Sequence, residues 1–226
     1  KTTKYLYTIN EPVELSLITI RPFGEKVGNK KVELKFVKAE WKSIKKARLG
    51  GRYEWVSEYV ETEIKKEQVT SQIDSSVVKF NPDKPGYYYV QAIAKDEKGR
   101  ECFNKVYFYV AGRGYAGWQI RDDDIIELVS DKDIYQVGDT ARILVKSPYD
   151  SANALITVER ELILRKFTKK LRGNADYIEI PIKSIDLPNV YVCMMLLRGR
   201  VEDLSWNEEK QEDLGKPQFK IGYVNL

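Results

Sequence analysis

Three glycines in the middle of the chain have the spacing of a nucleotide-binding loop. Gly112, Gly114 and Gly117 form the pattern G-x-G-x-x-G, which cradles a dinucleotide pyrophosphate when it leaves a strand and opens a helix. The preceding stretch, ECFNKVYFYV, alternates as a strand does, but the following stretch, WQIRDDDIIELVSDK, has no apolar residues at helical spacing. The glycines therefore predict a linker between two modules, with no nucleotide and no other cofactor.

A serine and a lysine in the first half have the spacing of a nucleophile pair. Ser43 and Lys46 match the S-x-x-K motif of penicillin-binding enzymes, which requires a helix and two companion motifs, S-D-N and K-T-G. Neither companion occurs in the sequence. The two residues are therefore predicted to lie in a solvated basic hairpin and not in an active site.

Aspartates near the linker have the oxygen chemistry that calcium prefers. They are Asp122, Asp123, Asp124, Asp131 and Asp133. Calcium loops usually add a further carboxylate at a fixed spacing, and no such pattern follows these residues. Solvated acids of a linker are the favoured interpretation, and no metal site is expected.

A basic segment in the second half, RKFTKKLR at 165–172, allows two interpretations. Its cations are Arg165, Lys166, Lys169, Lys170 and Arg172. Such a patch binds polyanions or anionic lipid in some proteins, whereas lysines on an edge strand protect a sheet against aggregation. The edge strand is favoured because no aromatic stacking platform accompanies the patch. The formal net charge of +4 also gives a nucleic-acid partner no general electrostatic support.

Histidine and cysteine usage excludes several kinds of catalytic site. The chain has no histidine, which removes histidine-based triads, general bases and histidine-containing metal sites. Its two cysteines, Cys102 and Cys193, lie in apolar stretches and are predicted to be buried free thiols, with an interdomain disulfide as the less favoured alternative. The chain is not expected to be an enzyme.

The elements that must position these residues are strands, because nearly every segment alternates with period two and turn residues separate the segments. The predicted strands are 13–20, 31–39, 75–80, 86–94, 102–110, 125–129, 140–147, 154–161, 177–182, 190–197 and 219–226. Residues 52–66 fit both a helical face and a strand, and the turn-like LGGR before them favours a strand. The sequence thus predicts an all-β protein with two tandem immunoglobulin- or fibronectin-like antiparallel β-sandwich domains.

The predicted domain boundaries follow the glycine-rich stretch. We expect one sandwich at 1–112, a linker at 113–123 and a second sandwich at 124–226, with Gly112, Gly114 and Gly117 as hinge glycines and Trp118 anchoring the seam. No apolar run approaches the ~18 residues of a membrane span. No secretory signal is visible at Lys1, so the chain is expected to be an interior piece of a longer protein.

One connection is far longer than a usual hairpin loop. Residues 200–218, RVEDLSWNEEKQEDLGKPQ, are polar and are expected to be flexible. They are either a partner-contacting loop or a tolerated insertion. The candidate contact residues are Arg200, Asp203, Trp206, Glu208 and Lys210.

A motif in the second half is similar to a known family. In SDKDIYQVGDTARILVKSP, the residues on the pattern D-K-x-x-Y-x-x-G-[DE]-T are Asp131, Lys132, Tyr135, Gly138, Asp139 and Thr140. This pattern, with ALITVERE, GNADYIEIPI, LPNVYVCMMLLRGR and LGKPQFKIGYVNL, resembles the bait-region domain of the bacterial alpha-2-macroglobulins over nearly all of 118–226. Residues 1–110 match more loosely, as a preceding macroglobulin-type domain would. Val137 stands where the family commonly has proline, and Leu162 where a small residue is common.

The alternation of residues 140–147 predicts which side chains of the motif strand enter a core. Ala141, Ile143 and Val145 should point inward, with Tyr135 capping the core. Leu144 breaks the alternation and is expected to pack against a neighbouring domain.

The resemblance implies a non-catalytic scaffold fragment of a broad-spectrum endopeptidase inhibitor that traps proteases after cleavage of its bait region. Proteases would be partners of the full-length parent, and other domains of the parent would contact this fragment. The resemblance also implies the bacterial cell envelope, in the periplasm or on the outer surface, with a lipid anchor outside this sequence. The thioester motif Cys-Gly-Glu-Gln is absent here. A surface adhesin or carbohydrate-binding module is the alternative, which an exposed row of aromatic residues would favour.

Overall fold

The computed structural model describes residues 1–47, 53–121, 123–201, 206–207, 212–213 and 215–226. Within these ranges the chain is almost entirely β-structure, and its helical content is one 3-10 turn at Ser184–Asp186. No helix in the described ranges is long and apolar enough to cross a membrane. The architecture is two tandem β-sandwiches, as the period-two pattern predicted.

In the described residues, the first sandwich contains nine strands. They are β1 (Leu6–Thr8), β2 (Val13–Leu17), β3 (Thr19–Ile20), β4 (Lys26–Val27), β5 (Lys31–Ala47), β6 (Tyr53–Thr70), β7 (Ser76–Phe80), β8 (Gly86–Lys95) and β9 (Glu101–Ala111). A five-stranded sheet has the order β1-β9-β8-β5-β6, and the pair β2-β7 forms a second sheet. Apolar residues that alternate along these strands, such as Val13, Phe36 and Phe108, form the core between the sheets.

One strand pair of the first sandwich was not anticipated. β1 runs parallel to β9, with Leu6 opposite Tyr109, whereas the sequence predicted antiparallel sheets throughout and no strand before residue 13. Three residues are too few to show an alternating pattern, and a parallel partner distant in sequence leaves no hairpin turn to read.

The ambiguous segment 52–66 falls largely in a strand, as favoured: β6 covers Tyr53–Thr70. It pairs with β5 along nearly its whole length, with one bulge at Phe36/Val37. β5 pairs with β8 only from Val32 to Ala39, so the outer part of the β5–β6 hairpin extends beyond the sheet. This projecting arm contacts the linker.

Of the remaining strands that the structure describes, seven form the second sandwich. They are β10 (Leu128–Ser130), β11 (Thr140–Val145), β12 (Ser151–Arg160), β13 (Leu162–Arg172), β14 (Tyr177–Pro181), β15 (Tyr191–Arg198) and, at the C-terminal end, β18 (Gln218–Asn225). A three-stranded sheet, β10-β11-β14, faces a four-stranded sheet, β13-β12-β15-β18. Their facing side chains, including Ile143, Ile156, Ile178 and Met194, form the larger core of the chain. Each fully buried side chain of this size contributes about 1.5–3 kcal/mol by leaving water.

The basic segment 165–172 lies in β13, which is the edge strand of the four-stranded sheet. It pairs with β12 alone among the described strands of that sheet, from Leu162 to Arg172. The interpretation of this segment as a charged edge strand is therefore correct.

The cysteines are both free thiols, but their burial differs from the prediction. Cys102 is exposed and Cys193 is half-buried. Cys102 lies at the start of β9, where the first four residues of the strand are exposed. Apolar neighbours in sequence predicted a buried thiol, but this end of the strand lies outside the core of the first sandwich.

Candidate functional site at the junction of the sandwiches

The linker is held on both sides by backbone hydrogen bonds. Gly112, directly before the linker, donates its N–H to the Ala175 carbonyl at 3.0 Å, and the Trp41 N–H donates to the Gly117 carbonyl at 2.7 Å. The first bond joins the chain to the turn between β13 and β14, and the second joins it to the β5–β6 arm. The linker is thus pinned between the two sandwiches.

The glycines of the G-x-G-x-x-G pattern meet two different requirements. Gly112 and Gly114 have φ angles of +151° and +127°, a region that side-chain-bearing residues rarely adopt. Gly117 has no such angle, but a Cβ there would lie 2.9 Å from the Trp41 carbonyl oxygen. A Cβ at Gly112 would lie 2.5 Å from Ile9 Cδ1. The glycines therefore allow both the turn and the close approach of the linker to the first sandwich.

A buried asparagine of the second sandwich binds the linker through its amide. The Ala116 N–H donates to Asn174 Oδ1 at 2.9 Å, and Asn174 Nδ2 donates to the Ala116 carbonyl at 2.7 Å. The indole Nε1–H of Trp118 donates to the Asn174 carbonyl at 2.6 Å. Asn174 and Trp118 are each 5% exposed, so water competes little for these bonds, and their loss would leave buried polar groups unpaired.

An apolar cluster surrounds these hydrogen bonds and includes residues from both sandwiches. Its buried members are Leu6, Ala111, Ala116, Trp118, Leu144 and Ala175. Leu144, whose position broke the alternation of β11, points away from the core of its own sandwich and into this cluster. The predicted inward residues of β11, Ala141, Ile143 and Val145, lie in that core.

Lys146 adds a charge to the edge of the cluster. Its Nζ lies 5.3 Å from the ring centre of Tyr109 and 5.4 Å from that of Trp118, which are cation–π distances. The same ammonium pairs with the Glu127 carboxylate at 2.6 Å. Burial, and then the nearby Glu127 carboxylate, raise the pKa of Tyr109 above its ordinary value. The junction therefore combines apolar, cation–π and ionic contacts.

The D-K-x-x-Y motif forms a compact turn around a buried carboxylate. Asp131 Oδ1 accepts the Tyr135 hydroxyl at 2.7 Å and the Arg142 N–H at 2.8 Å, which explains how an aspartate can be 5% exposed. Burial, followed by the bond to Asp131, raises the pKa of Tyr135. Farther along, Asp139 accepts the Gln136 N–H at 3.2 Å and closes the turn.

The same motif also contacts the first sandwich. The Tyr5 N–H donates to the Asp131 carbonyl at 3.0 Å, and the Tyr5 hydroxyl donates to Asp133 Oδ2 at 3.0 Å. The side chain of Asp131 thus holds the turn together, while its backbone and Asp133 reach across the junction. The carboxylates of Asp131 and Asp133, two of the acids near the linker, therefore accept hydrogen bonds from protein donors.

The other acids of that set are used locally or lie outside the described ranges. Asp123 accepts the Ile125 N–H at 3.1 Å and lies 3.8 Å from the Lys220 ammonium. Asp124 is exposed, and Asp122 is outside the described residues. In the described part of the chain, no three histidine, cysteine, aspartate or glutamate side chains are grouped to hold a metal ion.

The S-x-x-K pair lies on a strand. Ser43 and Lys46 both belong to β5, and residues three apart on a strand point to opposite faces. The Ser43 hydroxyl instead bonds the Ser57 hydroxyl at 2.8 Å and accepts the Ile120 N–H at 3.3 Å. Ser43 therefore attaches the linker to the β5–β6 arm, and Lys46 lies on the opposite face of the strand.

The long connection 200–218 contains two short strands, β16 (Trp206–Asn207) and β17 (Glu212–Asp213), which pair with each other. Arg200 pairs with the Asp213 carboxylate at 2.9 Å. The candidate contact residues Asp203, Glu208 and Lys210 lie outside the described residues, as does the side chain of Trp206. The role of this loop stays a prediction.

The second sandwich and much of the rest of the chain are similar to known proteins. Residues 126–224 match the family model of the alpha-2-macroglobulin bait region domain. The chain is 25% identical over 187 residues to an alpha-2-macroglobulin homolog of Nostoc sp., covering 83% of this chain and 10% of the relative. It is 27% identical over 160 residues to an alpha-2-macroglobulin of Rickettsia conorii, covering 71% of this chain and 8% of the relative. Together these matches support a member of the bacterial alpha-2-macroglobulin family.

The chain spans about a tenth of the length of these curated alpha-2-macroglobulins. A solved structure of the native conformation of E. coli alpha-2-macroglobulin aligns with 98% of this chain and 13% of that protein, at 15% identity and a TM-score of 0.42.

Sequence reasoning missed the main junction residues on the second sandwich. In the sequence, Asn174 lies in a turn-like stretch, RGNAD, and Lys146 follows the alternating residues of β11 as an ordinary surface charge would. Both residues act through partners far away in sequence, such as Ala116. The only local signal was the apolar Leu144 at an outward position of β11, which marked the face that meets the linker.

Proposed function

We propose that this chain is a non-catalytic scaffold segment of an alpha-2-macroglobulin that traps endopeptidases after cleavage of its bait region. The match of residues 126–224 to the bait region domain is the observation that carries the proposal. The sequence lacks histidine, and Ser43 and Lys46 lie on opposite faces of β5, which supports a role without catalysis.

The proposed division of the chain is a macroglobulin-type sandwich at 1–112, a linker at 113–123 and a bait-region sandwich at 124–226. The supporting observation is that Asn174 and Trp118 join the linker to the second sandwich inside a shared apolar cluster. In a trap that collapses after cleavage, displacement of one domain moves the others only if segments between them resist bending. The junction would serve as such a segment.

The partners and the location of the parent protein follow from the same proposal. Endopeptidases would be the partners of the full-length protein, and neighbouring domains would contact this segment directly. We place the parent in the bacterial cell envelope, in the periplasm or on the outer surface, held by a lipid anchor outside this sequence. Fractionation of the producing cell should recover the parent with the envelope, and recovery in the cytosolic fraction would contradict this location.

A comparison of two proteins tests the trap. The isolated chain and its full-length parent are each incubated with a general endopeptidase, followed by a large protein substrate or a small chromogenic peptide. The parent should protect the protein substrate while the peptide is still cleaved, because a caged protease stays accessible to small molecules. The isolated chain should protect neither, since two domains cannot enclose a protease. Protection by the isolated chain would indicate direct active-site inhibition and would refute the trap.

Carbohydrate binding by an adhesin-like surface is the second candidate, and one observation favours it. Tyr87 and Tyr107 on the outer face of the five-stranded sheet stack with ring centres 5.7 Å apart, and Tyr107 is 43% exposed. Exposed aromatic rings on a sheet can stack on sugars. Tyr109, two residues farther along the same face of β9, belongs to the junction, because its ring centre lies 6.2 Å from that of Trp118.

Titration with neutral oligosaccharides, monitored by intrinsic fluorescence, distinguishes this candidate from the trap. Saturable binding that Tyr107→Ala abolishes and Tyr223→Ala preserves would support it. Tyr223 is a suitable control because it is also exposed but lies on β18 of the other sandwich. Absence of binding would leave the trap as the sole function proposed.

A further inference from the structure

A cleft of about 390 Å³ lies beside the junction. One wall is the start of the linker, with Arg113, and the other is the end of β13 with the turn that follows it. The lining contains four cationic side chains, Arg113, Lys169, Lys170 and Arg172, and one carboxylate, Asp176. This concentration of positive charge is not used by the scaffold role described above.

The single carboxylate of the cleft is already occupied. Asp176 Oδ1 lies 3.3 Å from the Lys169 ammonium and accepts the Tyr177 N–H at 2.8 Å. Its other oxygen, Oδ2, accepts the Arg172 backbone N–H at 3.1 Å. Lys169 also donates to the Tyr177 carbonyl and lies 5.6 Å from the Tyr177 ring centre. Asp176 and Lys169 therefore neutralise each other.

The remaining three cations have no such partner among the described residues. In the ranges that the structure describes, no carboxylate lies within ion-pair distance of the side chains of Arg113, Lys170 or Arg172. Lys170 and Arg172 are two residues apart on β13 and so share a face of the strand. Arg113 reaches the same cleft from the linker. Like charges gathered in a cleft create a positive potential that concentrates anions there.

The backbone keeps these cations together. Arg113 lies between Gly112 and Gly114. The Gly112 N–H donates to the Ala175 carbonyl at 3.0 Å, and Ala175 lies in the β13–β14 turn, two residues after Gly173. A Cβ at Gly173 would lie 3.6 Å from the Gly114 carbonyl oxygen. The linker and the turn are therefore in close contact, so the spacing between Arg113 and Arg172 is fixed by the junction itself.

We propose that this cleft binds a phosphomonoester group carried by a larger molecule. Guanidinium groups bond phosphate oxygens in a bidentate manner and lysine adds a point charge, so two arginines and a lysine suit a phosphate dianion. The volume of the cleft falls in the ~300–1,000 Å³ range of small-molecule sites and exceeds the size of a bare ion. The phosphate belongs either to a soluble metabolite or to a lipid headgroup. Because the ligand contacts both the linker and the second sandwich, its binding stabilises the junction.

Binding is tested on the 226-residue chain with two kinds of probe. The soluble probe is glycerol 3-phosphate, measured by isothermal titration calorimetry at constant ionic strength, with chloride as the non-binding anion. The membrane probe is a phosphatidylcholine vesicle containing phosphatidate, compared by co-sedimentation with a vesicle of phosphatidylcholine alone. Saturable binding of the soluble probe indicates a soluble phosphomonoester, and selective binding of the phosphatidate vesicle alone indicates a headgroup. Failure of both overturns the proposal.

Matched variants distinguish a built site from general positive charge. Arg113→Gln and Arg172→Gln should each weaken binding by about tenfold or more, as expected for the loss of one charge-assisted contact. Lys166→Gln removes an exposed cation from the same strand outside the cleft and should leave binding unchanged. The three variants change exposed side chains, and circular dichroism checks their folding. Equal weakening by all three variants, or none by Arg113→Gln, would refute the site. The outcome is independent of protease trapping.

Discussion

Replacement of Asn174 by alanine tests how the second sandwich holds the linker. The substitution removes the acceptor of the Ala116 N–H and one of the donors to the Ala116 carbonyl. The Ala116 carbonyl still accepts the Trp118 backbone N–H at 3.0 Å. The substitution therefore costs this carbonyl one ordinary hydrogen bond, about 0.5–1.5 kcal/mol. The buried Ala116 N–H loses its acceptor, Asn174 Oδ1, and an unpaired buried donor costs about 1–3 kcal/mol. Asn174→Ala should therefore lower the free energy of unfolding by about 1.5–4.5 kcal/mol.

Urea unfolding of the wild-type chain and the variant, followed by circular dichroism and by tryptophan fluorescence, measures this loss. Asn153→Ala is the matched control, because Asn153 is an exposed asparagine on β12 and its loss should change stability by no more than about 0.5 kcal/mol. The fluorescence transition should move with the dichroism transition, since Trp118 lies inside the junction. A loss below about 0.5 kcal/mol for Asn174→Ala would show that the side-chain amide does not hold the linker.

Two further results follow from the packing and the electrostatics of the junction. Gly117→Ala places a carbon 2.9 Å from the Trp41 carbonyl oxygen and should cost about 1–3 kcal/mol in urea titrations. Gly199→Ala meets nothing within 4 Å and should cost far less; equal costs would contradict the close approach at Gly117. The raised pKa of Tyr109 and Tyr135 means that the folded chain keeps protons that the unfolded chain releases above about pH 10, so stability should fall as pH rises from there. If a phenolate absorbance titration shows every tyrosine ionising near pH 10 while the chain stays folded, this expected pH dependence is refuted.

The strands could be predicted from sequence wherever alternation and turn residues coincided. β11 shows this well, because its three inward residues and the exceptional Leu144 fit their predicted roles. The prediction failed where the signal was short or non-local. β1 has three residues and a parallel partner about a hundred residues away, and Cys102 looks apolar in sequence although its strand end lies outside the core.

The candidate site was less accessible to sequence reasoning than the fold. The glycines and Trp118 were singled out because a glycine-rich break with a lone aromatic residue is a local feature. Asn174 binds a residue 58 positions earlier. Arg113 becomes a candidate binding residue only because Arg172 lines the same cleft. A side chain whose role depends on a distant partner leaves no pattern in its own neighbourhood.

We expect the junction to make the two sandwiches one cooperative unit, and differential scanning calorimetry tests this directly. At about 0.7 kcal/mol per residue, unfolding of 226 residues should absorb about 160 kcal/mol near 60 °C. If the chain unfolds as one unit, the van't Hoff enthalpy of a single transition should equal this calorimetric value. A van't Hoff enthalpy near half of it, or two separate transitions, would show that the sandwiches unfold independently and would contradict the claim.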